Sequence, residues 1–527
     1  GNLVGGSRNV AAGVATGNIV TGDDNNATGT GTGNIVLGDR NSAQGVASGN
    51  AVLGDDNQAS GTGSGNVVLG DRNAASGVLT GNVVTGDDNQ ASGTGTGNLV
   101  GGSRNVAAGV ATGNIVTGDD NNATGTGTGN IVLGDDNQAS GTGSGNVVLG
   151  DANVAAGVGA GNFVGGFANY AQGAFSGNFV AGVGNRASGI GSGNLVAGVG
   201  NQASGIASGN AVLGSNNQAS GAASGNLVVG DNNQASGAGS GNAVLGSNNQ
   251  ASGTASGNLV DGESNQASGT NAGNDVDGDH NIAIGTDAGN SIAASDTISI
   301  GTGSSASAHS AIAIGTGATA QGTSAIAIGH NAFAAGPNDT AVGQGARVNA
   351  DQGNAFGNNA VVNAGHTNST ALGFGAQTEF LNEVSLGAKD GSQSYTTPGI
   401  TSQLSKDRQT AGRLELVTTD QAGHLASDGG DVFRSIAKLQ AGVAVALAAE
   451  APSLTTTENF GMRIGWGNFE GDANAVAVSA IGVLCRSCFS AGDRIAIDGS
   501  VGAGWSDYKS YSAGNTVGGR AGVQWTW

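Results

Sequence analysis

Basic residues are scarce in this chain: 17 Lys and Arg stand against 38 Asp and Glu over 527 residues, a formal net charge of −21 at pH 7. That balance excludes the electrostatic footprint of a nucleic-acid binder and of polybasic attachment to anionic lipid, so no nucleic-acid partner is expected. Cysteine occurs twice, as Cys485 and Cys488. With no second pair, this C-x-x-C cannot complete a four-ligand zinc site, and it does not precede a helix in a βαβ unit as a redox motif would. It reads as a local disulfide or a neutral pair on a turn in an oxidising compartment. The five histidines, His280, His309, His330, His366 and His424, are scattered without serine or carboxylate partners at meaningful spacing. No catalytic constellation is visible, and neither an enzyme nor a cofactor nor a metal site is expected. A secretory leader is also missing, and the chain opens in phase with its own repeat, which reads as a mature or trimmed form.

What the chain has in abundance is glycine, 103 residues, set in a strict period. From 1 to 288 it repeats every 16 residues, eighteen times without an insertion, with Gly-Asn returning at Gly17-Asn18, Gly33-Asn34 and Gly49-Asn50 through Gly273-Asn274. Val at the fourth position, Gly at the sixth, Asn at the ninth, Ala at the eleventh and Gly at the thirteenth hardly vary. Sixteen residues are too few for a helix hairpin, and interior glycines cost about 1 kcal/mol each in a helix. Each period is therefore one turn of a coil built from two strands, as in 34–38 and 41–45, stacked on its neighbours.

Side chains alternate along a strand, so the two runs can be read face by face. In the first, Asn34, Val36 and Gly38 share one face while Ile35 and Leu37 share the other, and both are mostly apolar. A strand apolar on both faces is normally covered on both, and a coil this thin covers one. The exposed strip, continued along eighteen turns, is larger than a soluble monomer usually shows, so copies of the chain are expected to pack along it. In the second run Asn41, Ala43 and Gly45 form the unvarying face and the outward positions are small and polar. This wet flank reads Gln, Ser, Asn and Thr, with no aromatic patch to mark a sugar or protein pocket. The asparagine columns read as amide ladders that satisfy buried polar groups rather than as ligands. Acidic dipeptides such as Asp23-Asp24 and Asp55-Asp56 suggest calcium at first sight, but they occur in some copies only and the period is wrong for calcium-binding rolls. Turn chemistry and solubility explain them better.

After 288 the beat changes to 14 residues, with glycines at Gly301, Gly315, Gly329, Gly343 and Gly357 following Ile, Val or Phe. The segments 310–315 and 324–329 both read Ser-Ala-Ile-Ala-Ile-Gly. This pattern resembles the head of YadA-like trimeric autotransporter adhesins, bacterial surface proteins whose heads are left-handed parallel β-rolls associated as trimers. The 16-residue repeats look like a variant of the same coil, their glycine continuing in phase at Gly278. The resemblance implies matrix binding by Ser310, Ile312, Ile314, Ser324, Ile326 and Ile328, for which plain coil packing is the alternative reading.

All four tryptophans lie beyond 460, in sequence that no longer repeats. Period-two reading gives four strands near 460–471, 473–484, 494–507 and 515–527. Apolar and aromatic residues share one face, among them Trp466, Trp505, Val523, Trp525 and Trp527, while Gly465, Gly467, Arg463 and Arg520 lie on the other. This is the alternation of a membrane-spanning barrel. Four strands cannot close and an open edge is forbidden in lipid, so several chains must contribute. The inward glycines call for a bulky filler, and 432–451, with Ile436, Leu439, Val443 and Ala446 at helix-seam spacing, supplies it. Three such helices suit a twelve-stranded wall better than two suit an eight-stranded one. The 465–471 run Gly-Trp-Gly-Asn-Phe-Glu-Gly, the 441–447 run and the terminal aromatic are similar to the C-terminal translocator of the same family.

The expected organisation is all-β and repetitive. A trimeric β-roll head comprises 16-residue coils at 1–288 and mainly 14-residue coils at 289–387. A neck follows at 388–430, a short coiled-coil helix at 431–452, and a four-strand share of a twelve-stranded trimeric outer-membrane barrel at 453–527. The resemblance implies a homotrimer at the bacterial outer membrane that translocates itself, meets the barrel-insertion machinery and lipid at one end, and binds extracellular matrix, host cells or sister cells at the other. A passive surface coat, a trimeric phage fibre and an ice-binding solenoid remain alternatives; the last needs a Thr-x-Thr ladder on every turn, and pairs such as Thr30/Thr32 and Thr126/Thr128 are scattered.

Overall fold

The computed structural model describes all residues except 16, 32–33, 48–49, 64–65, 80–81, 96–97, 112–113, 128–129, 144–145, 160–161, 176–178, 192–194, 208–210, 226 and 410–411. The repeat-opening glycines Gly33 and Gly49, and Thr32 and Thr128 of the threonine pairs, lie outside the described residues. The chain divides into two compact units, Gly1–Ser394 and Tyr395–Trp527.

The first unit is a parallel β-solenoid. A typical coil lays down Ile35–Leu37 and then Ser42–Val46, each paired in parallel with its equivalent one repeat away, so that Val36 faces Val52 and Ala43 faces Ala59. The first strands form a 19-stranded sheet that ends at Ile292–Ala293. The second strands form a ladder that continues into the 14-residue coils as far as Val384–Leu386, where five short strands, Ser305–Ala306 through Val361–Val362, replace the first sheet. The core of a 16-residue coil is one Val and one Ala, such as Val36 and Ala43, both fully buried. A space this narrow tolerates neither a larger nor a smaller side chain without strain or a void, which is why those two positions scarcely vary. In the 14-residue coils the core contracts to alanines such as Ala311, Ala313, Ala325 and Ala327. Gly38 turns the corner with φ of 113°, and a Cβ there would run into the Gly54 carbonyl oxygen.

The phase of the two repeat lengths differs from the expected one. Gly278 stacks on Ala294, not on Gly301. The column that reaches Gly301 and Gly315 passes through Gly285, because the Ile282–Ile284 strand belongs to the second ladder and pairs with Ile298–Ile300. The Ala-Ile-Ala-Ile segments thus continue the second strand of the 16-residue coil, not the first.

In the second unit a 3-10 turn, Pro398–Thr401, and a short helix, Gln403–Asp407, precede a small hairpin of Val417–Thr419 and Leu425–Ser427. An 18-residue helix, Asp431–Ala448, follows. Four long antiparallel strands then run Phe460–Phe469, Ala473–Arg486, Arg494–Tyr508 and Thr516–Thr526, in that order across the sheet. No helix among the described residues is long and apolar enough to cross a membrane, which says nothing of strands.

Candidate functional surfaces: an apolar sheet and an outward-facing solenoid

The pairing register decides what each face of the four-stranded sheet carries. Trp466 lies opposite Val476, Val478 opposite Val501, Ile497 opposite Val523 and Ile495 opposite Trp525, so the apolar residues form continuous rows on one face. Trp466, Trp505, Val523, Trp525 and Trp527 are all exposed there, Trp527 at 89%. Trp525 packs edge-on against both Trp527 and Phe489 with ring centroids 5.7 Å apart. An apolar surface of this extent on an isolated chain marks something that covers it.

The other face is lined by small residues and covered by the chain's own helix. A Cβ at Gly465 would collide with the Ala448 carbonyl oxygen, and one at Gly467 with that of Ala444. The helix turns Ala437, Gln440, Ala441, Ala444, Val445 and Ala448 into this contact. The seam expected at Ile436, Leu439, Val443 and Ala446 is not the face that meets the strands: Leu439 is 71% exposed and Ala446 exposed, with Ile436 and Val443 half-buried. Interleaved three-four spacings give this helix two apolar faces, of which one chain covers one. Arg463 and Arg520 also lie on the inner face, Arg463 paired with Glu450 and Arg520 at 3.2 Å from the buried Asp498 carboxylate, to which Gln524 also donates. The first strand and the last each pair on one side only, so both edges are open among the described residues. Cys485, at the end of the second strand, is bonded to Cys488.

On the solenoid, Ser310 and Ser324 occupy left-handed corners with φ of 56° and 58°. Ile312 pairs with Ile326 and Ile314 with Ile328, forming two aliphatic rows that point outward over the buried alanines, with Ile328 exposed. The six residues therefore share one surface. The expected apolar strip of the first strands is present, with Ile19, Ile35, Leu99, Ile115 and Phe179 all about two-fifths exposed. A second outward row was not expected: the second strand runs one residue beyond Gly45, and Val46, Val78, Val110, Val158, Ile190 and Ile206 are about half exposed. Fourteenth-position Val, Ile and Thr are the sequence signal for it, easily missed because they follow the glycine taken as the strand's end.

The amides and acids are engaged along the stack. Asn105 donates to the carbonyls of Gly101 and Gly118 at 2.8 and 2.5 Å and accepts from the Asn121 N–H at 2.9 Å. Asp55 accepts the Asp39 N–H at 2.8 Å, and so on along its column. In the next column Arg and Asp alternate, giving ion pairs Arg8–Asp24, Arg40–Asp56, Arg72–Asp88 and Arg104–Asp120. The hydrogen bond from the Arg40 guanidinium holds the Asp56 carboxyl below the usual carboxylate range. Asp339 is different: burial pushes its carboxyl up, against the lowering effect of the Gly353 and Gly336 N–H groups it accepts.

Aromatic residues concentrate in one stretch of the solenoid, but on different strands, and only Tyr170 lies on the second-strand flank expected to carry none. Phe163, Phe167, Tyr170, Phe175 and Phe179 fall within two coils, with Phe167 and Phe175 at 55% and 73% exposed, and Phe163 stacked on Phe179 at 4.8 Å. Arg186 lies 5.1 Å above the Tyr170 ring. Their clustering was visible in the sequence, but the repeat average of the flank conceals one atypical stretch.

Among solved structures, the chain is similar to the collagen-binding domain of the Yersinia adhesin YadA, at 23% identity over 36% of this chain and 82% of that one, with a TM-score of 0.23. No protein-family model matches the chain. No curated protein matches it either.

Proposed function

We propose that this protein is a trimeric autotransporter adhesin held in the bacterial outer membrane by its C-terminal strands, with the solenoid displayed on the cell surface. The observation that carries the reading is the four-stranded sheet, with a continuous apolar outer face, a glycine-lined inner face filled by the preceding helix, and two open edges. Lipid covers the first and forbids the last, so the wall must be completed by further copies. The strands alternate in direction, which leaves the first and last antiparallel. The last strand of one copy can therefore pair with the first of the next and close a ring under cyclic symmetry. Three copies give twelve strands around three helices, and the uncovered Ile436, Leu439, Val443 and Ala446 face then meets its equivalents on the axis.

A solenoid displayed as a trimer presents every surface feature three times, and the repeated ones many times along its stack. Weak contacts then sum through multivalency, an avidity gain on the order of 10²- to 10⁴-fold, and no reaction is required. The partners proposed are extracellular matrix, host-cell surface or sister cells. The test is to display the full chain on a non-adherent bacterium, and the same chain without residues 1–387, and score binding to collagen, fibronectin, epithelial cells, plastic and sister cells. Adhesion or autoaggregation that depends on the solenoid supports the proposal. Surface display with neither would make the protein a passive coat.

A further inference from the structure

Between Asp151 and Asp231 the chain carries one charged residue, Arg186, in a molecule whose net charge is −21. The arginines of the earlier coils, Arg8, Arg40, Arg72 and Arg104, each bond an aspartate one repeat on. Arg186 makes no ion pair among the described residues and is propped on the Tyr170 ring. Asp151 lies two coils away and Asp231 three, which at ~4.8 Å per coil is about 10 and 14 Å. Both distances exceed the Debye length of about 8 Å at physiological salt, so Arg186 is a local positive site on an acidic rod.

Its neighbours extend the feature along the axis. Tyr170, Arg186 and Gln202 are in register on successive second strands, and Gln172, Ser188 and Ser204 form the row beside them. Arg186, Ser188, Gln202 and Ser204 line a shallow surface depression. Beyond it the glutamine row continues as an amide ladder, Gln234 to Gln218 at 3.3 Å and Gln250 to Gln234 at 2.8 Å. The surface is thus a double row of carboxamides and hydroxyls, headed by one guanidinium over an aromatic ring. Hydroxyl-rich chains exchange hydrogen bonds with such rows, and a guanidinium reads planar oxyanions through paired N–H donors. Ile190 and Ile206, at the far end of the same two strands, border the track with an aliphatic edge.

We infer that this track binds an acidic polysaccharide, with Arg186 receiving its carboxylate or sulfate groups and the Gln–Ser rows its hydroxyls. The inference rests on the surface-displayed head proposed above.

The test uses the purified full chain in detergent and measures binding to immobilised alginate, dextran sulfate, neutral dextran and polyglutamate. Alginate and dextran sulfate separate the carboxylate and sulfate sources. Binding to at least one of them, weakened by salt and reduced about tenfold or more in Arg186→Gln, is expected, with neutral dextran and polyglutamate bound far less. Arg186→Lys, which keeps the charge, retains part of the binding, and Arg104→Gln leaves it unchanged. An unchanged melting profile establishes that each variant is folded. Full binding by Arg186→Gln, equal binding of dextran or polyglutamate, or no binding of either acidic polysaccharide overturns the inference. If cells still adhere through residues 1–387 while any of these results holds, the adhesin reading survives and the track falls alone.

Discussion

Replacing Asn105 by Ala should open the solenoid locally. The side chain is buried and bridges two coils: it donates to Gly101 of its own coil and Gly118 of the next, and accepts from the Asn121 backbone. Alanine removes all three bonds and leaves two carbonyls and an N–H inside the stack. At about 1 kcal/mol for each, the low end for orphaned buried groups, the loss is about 3 kcal/mol. Each coil touches only its neighbours, so the loss should stay near the substitution. Hydrogen exchange resolved by mass spectrometry is the assay, and 3 kcal/mol corresponds to a fall in protection on the order of 10²-fold for amides in Val106–Val110 and Asn122–Thr126. Asn114, in the other asparagine column, donates to Asn98 and Ala123 at 3.1 and 3.4 Å and accepts from Asn130 at 3.1 Å, all longer than the bonds of Asn105. Asn114→Ala should therefore cost about 1 kcal/mol, a fall of roughly fivefold. Equal effects at the two positions, or the reverse order, would refute the assignment of the ninth-position ladder as the stronger tie.

Three further outcomes are expected. Gly465→Leu, whose side chain would meet the Ala448 carbonyl, should abolish the proposed oligomer in detergent while leaving the solenoid's circular dichroism intact. Deleting residues 525–527 removes the terminal aromatics and should leave the protein in the periplasm; normal surface display would refute the anchor. The head's thermal midpoint, followed from pH about 2 to about 7, should show two opposed limbs. Carboxyls such as Asp56, lowered by arginine, stabilise above their ordinary value of 3.8 and lose that contribution as pH falls through their folded value. Asp339, raised by burial, contributes below 3.8 and loses it as pH rises through its folded value. Replacing Arg40, Arg72 and Arg104 by Gln should flatten the first limb, and Asp339→Asn the second.

The four C-terminal strands were highly legible in the sequence, their ends falling within a residue or two of the period-two reading. Outward Trp466 and Ile464 against inward Gly465 and Gly467 leave one register that buries the glycines. The coil repeat was equally legible, since Val at the fourth position and Ala at the eleventh are the whole core. The junction was not: Gly278 and Gly285 are both repeat glycines, and only strand pairing shows which column reaches Gly301. The helix misled for a related reason. Its three-four spacings fit two faces, and nothing local distinguishes the one that meets the strands from the one left uncovered. Tyr170 and Arg186 were overlooked because a consensus discards what occurs once, and a unique departure from a repeat is where a particular function can sit.

The claim on which the rest depends is that the chain is completed by two others. Native mass spectrometry of the detergent-extracted protein tests it directly. The account predicts a single folded species of three times the chain mass of 50.1 kDa, with no stable smaller form. A folded species of one or two chain masses would contradict it.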